Sequence, residues 1–185
     1  MRNILKNRRA LSTVVTTLII LVVSVLLAGV VTYYAINVTS TRVTQESLQI
    51  SDIHVWEKSD GTTSQAAFII MNTGGRDVDI NKIQIRGQTA DWTTQVYSSA
   101  PGTAPTGDLA WCGSATFAFA YFGTTASSTA LTAAGGDLTL PSGKSIIVYI
   151  SGPDSVNIND IGLTVGITVF TSQAMYYEEA NVQAQ

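Results

Sequence analysis

Hydrophobic and polar positions along the chain fall into two regimes. From Ala10 to Thr41 there are 32 residues without an Asp, Glu, Lys or Arg, centred on Leu18-Ile19-Ile20-Leu21-Val22-Val23 and Val25-Leu26-Leu27. Read as one α-helix, this run is about 48 Å long at 1.5 Å per residue, whereas the hydrocarbon core of a bilayer is ~30 Å thick. The first proline is Pro101, so the helix can run unbroken, with Gly29 its one weak point. Helices apolar on every side are either lipid-facing or enclosed. Thr16, Thr17, Ser24 and Thr32 can return their hydroxyls to carbonyls of the preceding turn, and Ala28 and Gly29 are small enough for close helix approach. From Arg42 the pattern becomes amphipathic, and the helix is expected to continue to about residue 47.

Beyond that point the period changes from helical to two. Ile53 and Val55 alternate with Asp52, His54 and Glu57, and Ala66–Met71 is a short apolar run ending in the turn signal Asn72-Thr73-Gly74-Gly75. Val78, Ile80, Ile83 and Ile85 predict a strand with an irregular point near Asn81-Lys82. Asp91–Tyr97 and Thr116–Phe122 read as further strands, with Ser98–Gly107 and Gly123–Gly136 as loops. Leu138–Leu140 and Ser145–Ser151 follow, and Leu163 to Val169 alternates strictly over seven residues. A last strand is expected near Ala174–Val182. Eight or nine short strands with no second helical pattern predict an antiparallel β-sandwich, hence an α+β chain with a helix over 11–47 and a sandwich over 48–185.

Charge sharpens the picture. Residues 1–10 carry Arg2, Lys6, Arg8 and Arg9 and no acid; the other six basic groups face thirteen acidic ones, a net of −7. Four basic groups before the apolar run, against Arg42 alone just after it, place the N-terminus in the cytoplasm and the body outside. An acidic body speaks against nucleic acid as a partner. Ser and Thr are abundant and Lys is scarce, a composition typical of extracellular fibres and surface layers.

The segment Arg8-Arg9-Ala10-Leu11-Ser12-Thr13-Val14 resembles the class III signal of archaeal type IV pilins and archaellins: a basic pair, a small residue, then the apolar run. In that family a membrane peptidase cuts on the cytoplasmic side, before the hydrophobic segment. The resemblance implies that residues 1–10 are the leader, that Arg9 and Ala10 precede the cut, and that Leu11 is the mature N-terminus. It further implies an immunoglobulin-like β-sandwich on the helix. The expected chain is a homo-oligomeric helical filament subunit that works with a prepilin peptidase, an assembly ATPase and a membrane platform protein. Leu18, Ile19, Leu21, Val22, Val25, Leu26 and Gly29 would then lie in the filament core, and the whole would form an adhesive, extracellular pilus, membrane-inserted before assembly. Mature position five is Val15 where bacterial pilins carry glutamate. Archaellins resemble the chain less, because Leu11–Ala28 is rich in Thr, Val, Leu and Ile and not in alanine. Two alternatives stand beside this reading: an archaellin, and a monomeric signal-anchored surface binding module.

Chemistry-bearing motifs are sparse, and no enzyme, cofactor or metal is expected. Asn37-Val38-Thr39 is an N-glycosylation sequon, which makes Asn37 a candidate acceptor. His54 is the single histidine and by strand parity points with Trp56, away from Ile53 and Val55. Cys112, the single cysteine, reads as a small buried apolar residue. Asp77-Val78-Asp79-Ile80-Asn81 matches the start of an EF-hand loop, but Lys82 and Gln88 stand where its glycine and bidentate glutamate belong. Neighbours Glu178 and Glu179 face opposite ways in a strand.

Overall fold

A computed structural model of the chain describes residues 4–43, 45–103, 105, 107–112, 120–122, 127–129 and 131–185. The chain divides into two units, Met1–Val43 and Thr44–Gln185.

The first unit is a single helix, α1 (Ile4–Val43). Its β-branched residues carry only a modest helix penalty, and no proline interrupts it. The predicted hydroxyl bonds are present: Thr16 to the carbonyl of Ser12 at 2.9 Å, Thr17 to Val14 at 2.9 Å, Ser24 to Ile20 at 2.7 Å and Thr32 to Ala28 at 2.8 Å. The helix ends at Val43, short of the expected residue 47. The carbonyls of Gln45 and Ser47 are taken by the turn at 73–75: Thr73 and Gly74 N–H donate to Ser47, and Gly75 N–H to Gln45.

The second unit is built on strands β1 (Leu48–Glu57), β2 (Ser64–Asn72), β3 (Val78–Ile85), β4 (Gln88–Thr89), β5 (Val96–Ser98), β6 (Ala120–Phe122), β7 (Ser127–Thr129), β8 (Thr132–Ala133), β9 (Leu138–Leu140), β10 (Ser145–Ser151), β11 (Thr164–Thr171) and β12 (Met175–Ala184). Ten of them form one curled sheet in the order β4-β3-β11-β12-β1-β2-β10-β5-β8, with β9 also on β3, while β6 and β7 pair separately. All pairs are antiparallel except one. Val55–Glu57 of β1 lies parallel to Val182–Ala184 of β12, so the sheet is mixed and not antiparallel throughout. Parallel neighbours need a long crossover. First and last strands have one, the whole intervening chain, and no local turn signal reveals it.

Most expected strands lie where the periodicity put them, and the irregular point of β3 is real: Lys82 faces Phe170 and Ile80 faces Thr171, leaving Asn81 as the extra residue. Asp91–Tyr97 differs. Its first part is a turn, because the Asp91 carboxylate accepts from the N–H groups of Thr93 at 2.6 Å and Thr94 at 3.2 Å, the local competition that short acidic side chains offer a strand. Of Thr116–Phe122, residues 116–119 lie outside the described residues. The expected loop Gly123–Gly136 contains β7 and β8, and of its residues 123–126 and 130 lie outside the description. A three-residue 3-10 turn, Ile158–Asp160, was not foreseen.

Two apolar clusters hold the sheet. The larger sits inside the curl, where Ala66, Phe68 and Ile70 of β2 and Ile146, Val148 and Ile150 of β10 share a core with Ile80, Ile83 and Ile85 of β3 and Val165, Ile167 and Val169 of β11. The second lies on the other face of β1, β2 and β10, where Trp56, Ala67, Ile69, Ile147 and Tyr149 pack with Leu109, Cys112 and Leu131. Strands β2 and β10 are therefore buried on both faces, which explains their continuous apolar runs.

Candidate functional site: an apolar helical surface and a His–carboxylate group

The feature that most demands an explanation is the surface of α1. Every large apolar side chain from Leu11 to Val38 is at least 44% exposed. This includes the predicted Leu18, Ile19, Leu21, Val22, Val25 and Leu26, and nothing lies within 4 Å of where a Cβ on Gly29 would stand. The apolar stretch Leu11–Thr41 spans 31 residues, its most apolar 18 averaging a hydropathy of 2.9, and is long enough to cross a membrane. Covering one Val, Leu or Ile is worth about 1.5–3 kcal/mol. For the whole run the sum is on the order of tens of kcal/mol, beyond the ~5–15 kcal/mol that keeps a domain folded. A surface of this kind is compatible with insertion into a membrane. The hydroxyls of Thr16, Thr17, Ser24, Thr32 and Thr41 are bonded to the helix's own carbonyls.

Arg9, Ala10 and Leu11 lie within α1, and so does Asn37, whose carbonyl accepts the Thr41 hydroxyl at 2.9 Å. Leu11 is 68% exposed. The helix thus carries the predicted cleavage bond and the sequon, both in helical backbone.

The second unit holds a polar group that local sequence could not reveal. In β1 the register slips between Ser51, opposite Ile69, and His54, opposite Ala67, so Asp52 and Ile53 together face Phe68 alone. Asp52 takes a positive φ of 53° at this bulge. Ile53 turns to the inner core, whereas the His54 ring stacks on Trp56 at 5.0 Å with a 3° interplanar angle, on the side its parity predicted. His54 Nε2 stands 2.7 Å from Oδ1 of Asp108 and 3.4 Å from Oδ1 of Asp52. His54 Nδ1 is sealed from solvent and has no hydrogen-bond partner among the described residues. Burial, then the hydrogen bond to Asp108, raises the pKa of Asp52, while bonds from Asp52 and His54 hold that of Asp108 low.

Asp108 belongs to a strap, residues 107–112, laid across the outer face of β1, β2 and β10. Four side chains of those strands hold it. Leu109 N–H donates to Asp52 Oδ2 at 2.9 Å, and His54 meets Asp108. Gln65 donates to the Cys112 carbonyl at 2.6 Å and accepts its N–H at 3.2 Å. Tyr149 donates its hydroxyl to the Ala110 carbonyl at 2.8 Å, and burial raises its pKa. Cys112 is buried, as its residue type suggested. Asp108 is 54 residues from His54, and only the strap brings them together.

The acidic motifs set aside in the sequence have structural partners. Asp77 accepts the Ser142 N–H at 3.0 Å, Asp79 the Thr139 hydroxyl at 2.7 Å, and Glu179 the Tyr177 hydroxyl at 2.7 Å.

No protein-family model and no curated protein matches the chain. Among solved structures it is similar to part of a β-glucosidase from Erythrobacter marinus, with 9% identity over 74% of this chain and 15% of that one at a TM-score of 0.29. It is likewise similar to part of a β-glucosidase from Listeria innocua, with 13% identity over 75% and 16% at a TM-score of 0.28. The chain spans 15% and 16% of the length of these enzymes, and a likeness this slight carries no argument.

Proposed function

We propose that the chain is the repeating subunit of an archaeal type IV pilus, a non-enzymatic protein of the cell surface. The observation that carries the reading is the helix: apolar all round, exposed along its length, and longer than a bilayer needs. About 46 Å of apolar helix (1.5 Å for each residue) exceeds the ~30 Å span. The surplus suits a rod that packs lengthwise against copies of itself. In this reading the basic leader pins the helix end in the cytoplasm. A prepilin peptidase removes it between Ala10 and Leu11, and an assembly ATPase and a platform protein move the subunit into the base of the filament. Lipid contacts are then exchanged for helix–helix contacts, so small residues and fit between surfaces supply the stabilisation. Each copy meets the next head to tail, the heterologous arrangement that grows an open helical polymer.

The curled sheet fits the sheath role as an immunoglobulin-like sandwich. Its two halves enclose one core, and first and last strands pair in parallel along the seam. Adhesion is the use we assign to the filament, and Asn37 its candidate glycan acceptor.

The test is electron microscopy of fibres sheared from cells, with mass spectrometry of their termini. Peptides beginning at Leu11 in a purified filament are expected. Recovery solely from detergent-extracted membrane, as a monomer with Met1 retained, would overturn the proposal in favour of a signal-anchored surface module. A filament that rotates cells would instead make it an archaellin.

A further inference from the structure

We propose that Asp52, His54 and Asp108 form a binding site for a divalent transition-metal ion, zinc in the first instance, that ties the 107–112 strap to β1. The three side chains offer one imidazole nitrogen and two carboxylate oxygens, all within 4.8 Å of one another. A nitrogen donor among carboxylates selects zinc and its neighbours over calcium or magnesium, which prefer all-oxygen shells.

The geometry is close to what such an ion requires. Bonds of about 2.0 Å to nitrogen and oxygen in a tetrahedral shell put ligand atoms about 3.3 Å apart. The 3.4 Å from His54 Nε2 to Asp52 meets this already. The 2.7 Å to Asp108 must open by about 0.6 Å to reach that tetrahedral edge, and the Asp108 side chain, 71% exposed, is free to do so. His54 and Asp52 are the fixed part, with side chains only 19% and 23% exposed. Stacking on Trp56 sets the ring, and the Leu109 N–H occupies Asp52 Oδ2 and leaves Oδ1 for the ion. Three protein ligands leave a fourth position for solvent.

Two observations go beyond the donor set. A ring nitrogen has one in-plane direction for bonding, yet two carboxylate oxygens converge on Nε2, at 2.7 Å and 3.4 Å. Among the described residues, neither Asp52 nor Asp108 has a lysine or arginine partner. One divalent cation meets both carboxylates and the ring at once. Its consequence is mechanical. With a single cysteine in the sequence, no intrachain disulfide can secure the long cover over Trp56, Ile69 and Tyr149, and an ion across β1 and Asp108 fastens it instead.

The experiment uses the full chain in detergent micelles, purified without a histidine tag, freed of metal with a chelator and titrated with zinc chloride by calorimetry. One saturable zinc ion per chain is expected, with a higher thermal midpoint and protection of His54 from diethylpyrocarbonate. Because His54 is the only histidine, that protection has one source. Asp108→Asn, at an exposed position that keeps the fold, and His54→Gln should each weaken binding at least tenfold, while Asp79→Asn leaves it unchanged. Absence of saturable binding, or binding that both site variants leave intact, overturns the proposal, whether or not the chain polymerises.

Discussion

Gly74 shows how much one missing side chain can matter. A Cβ at this position would stand 2.7 Å from the Gln45 carbonyl oxygen and 2.7 Å from the Ser47 nitrogen. Both are backbone atoms that cannot swing aside, and Gly74 itself donates to Ser47 at 3.0 Å. Gly74→Ala should therefore lower the stability of the sheet unit by about 1–3 kcal/mol, the usual range for forced overpacking, read from the urea midpoint. The turn signal at 72–75 was plain in the sequence; the reason for glycine there, close passage of the 45–47 segment, was not.

Glu57 poses the opposite problem, a carboxyl group kept where it does not belong. It is 2% exposed at the end of β1, and its Oε2 has no hydrogen-bond partner among the described residues. Burial first, then the negative charges of Asp60 and Asp160, raise its pKa above the ordinary 4.5. For an acid with a raised folded value, its stabilising contribution is complete below pH 4.5 and is lost as pH climbs through the raised value. Glu57→Gln should flatten this decline and be the more stable protein at pH 7 by about 1–2 kcal/mol. Urea denaturation from pH 4 to pH 8 checks it, and parallel curves for the two proteins would refute the assignment.

Among the elements, the strap is where a small change should have a local result. Gln65 is fully buried and holds both the N–H and the carbonyl of Cys112. Gln65→Leu removes both of these bonds from the strap, at about 2–3 kcal/mol in total. Amide exchange at 109–112 should accelerate well before that of β2 and β10. Equal acceleration everywhere would mean that strap and sheet open only together. The helix answers to different physics. Leu26 lies at the middle of Leu11–Thr41 and is 63% exposed. If α1 spans a bilayer as proposed, Leu26→Arg places a charge near its middle for roughly 2.5–3.5 kcal/mol, and carbonate extraction should release far more of this variant than of the parent.

At the scale of the whole molecule the two units need different solvents. Residues 44–185 have cores of their own, on both faces of β2 and β10. Expressed alone, this part should remain soluble without detergent and melt in one cooperative transition. The full chain should partition into membrane through α1. Light scattering and calorimetry on the two proteins test this, and a 44–185 fragment that melts without cooperativity would contradict it.

Periodicity and charge alone determined the division into apolar helix and strand-rich body, the positions of β1, β2, β3, β10, β11 and β12, an irregular point near Asn81-Lys82, and the side of β1 on which His54 stands. Those follow from local rules, in which backbone geometry turns a spacing of two or of every few residues into a face. What lay beyond local rules was decided by tertiary structure. The parallel seam between β1 and β12 joins the two ends of the strand-rich body, and the strap brings Asp108 to His54 across 54 residues. The turn at Asp91, though local, was settled by which hydrogen bonds its carboxylate made and not by the period of the residues around it. Contacts between residues far apart in sequence leave no period behind, because their partners are chosen by the folded chain's geometry and by which buried polar groups it must satisfy.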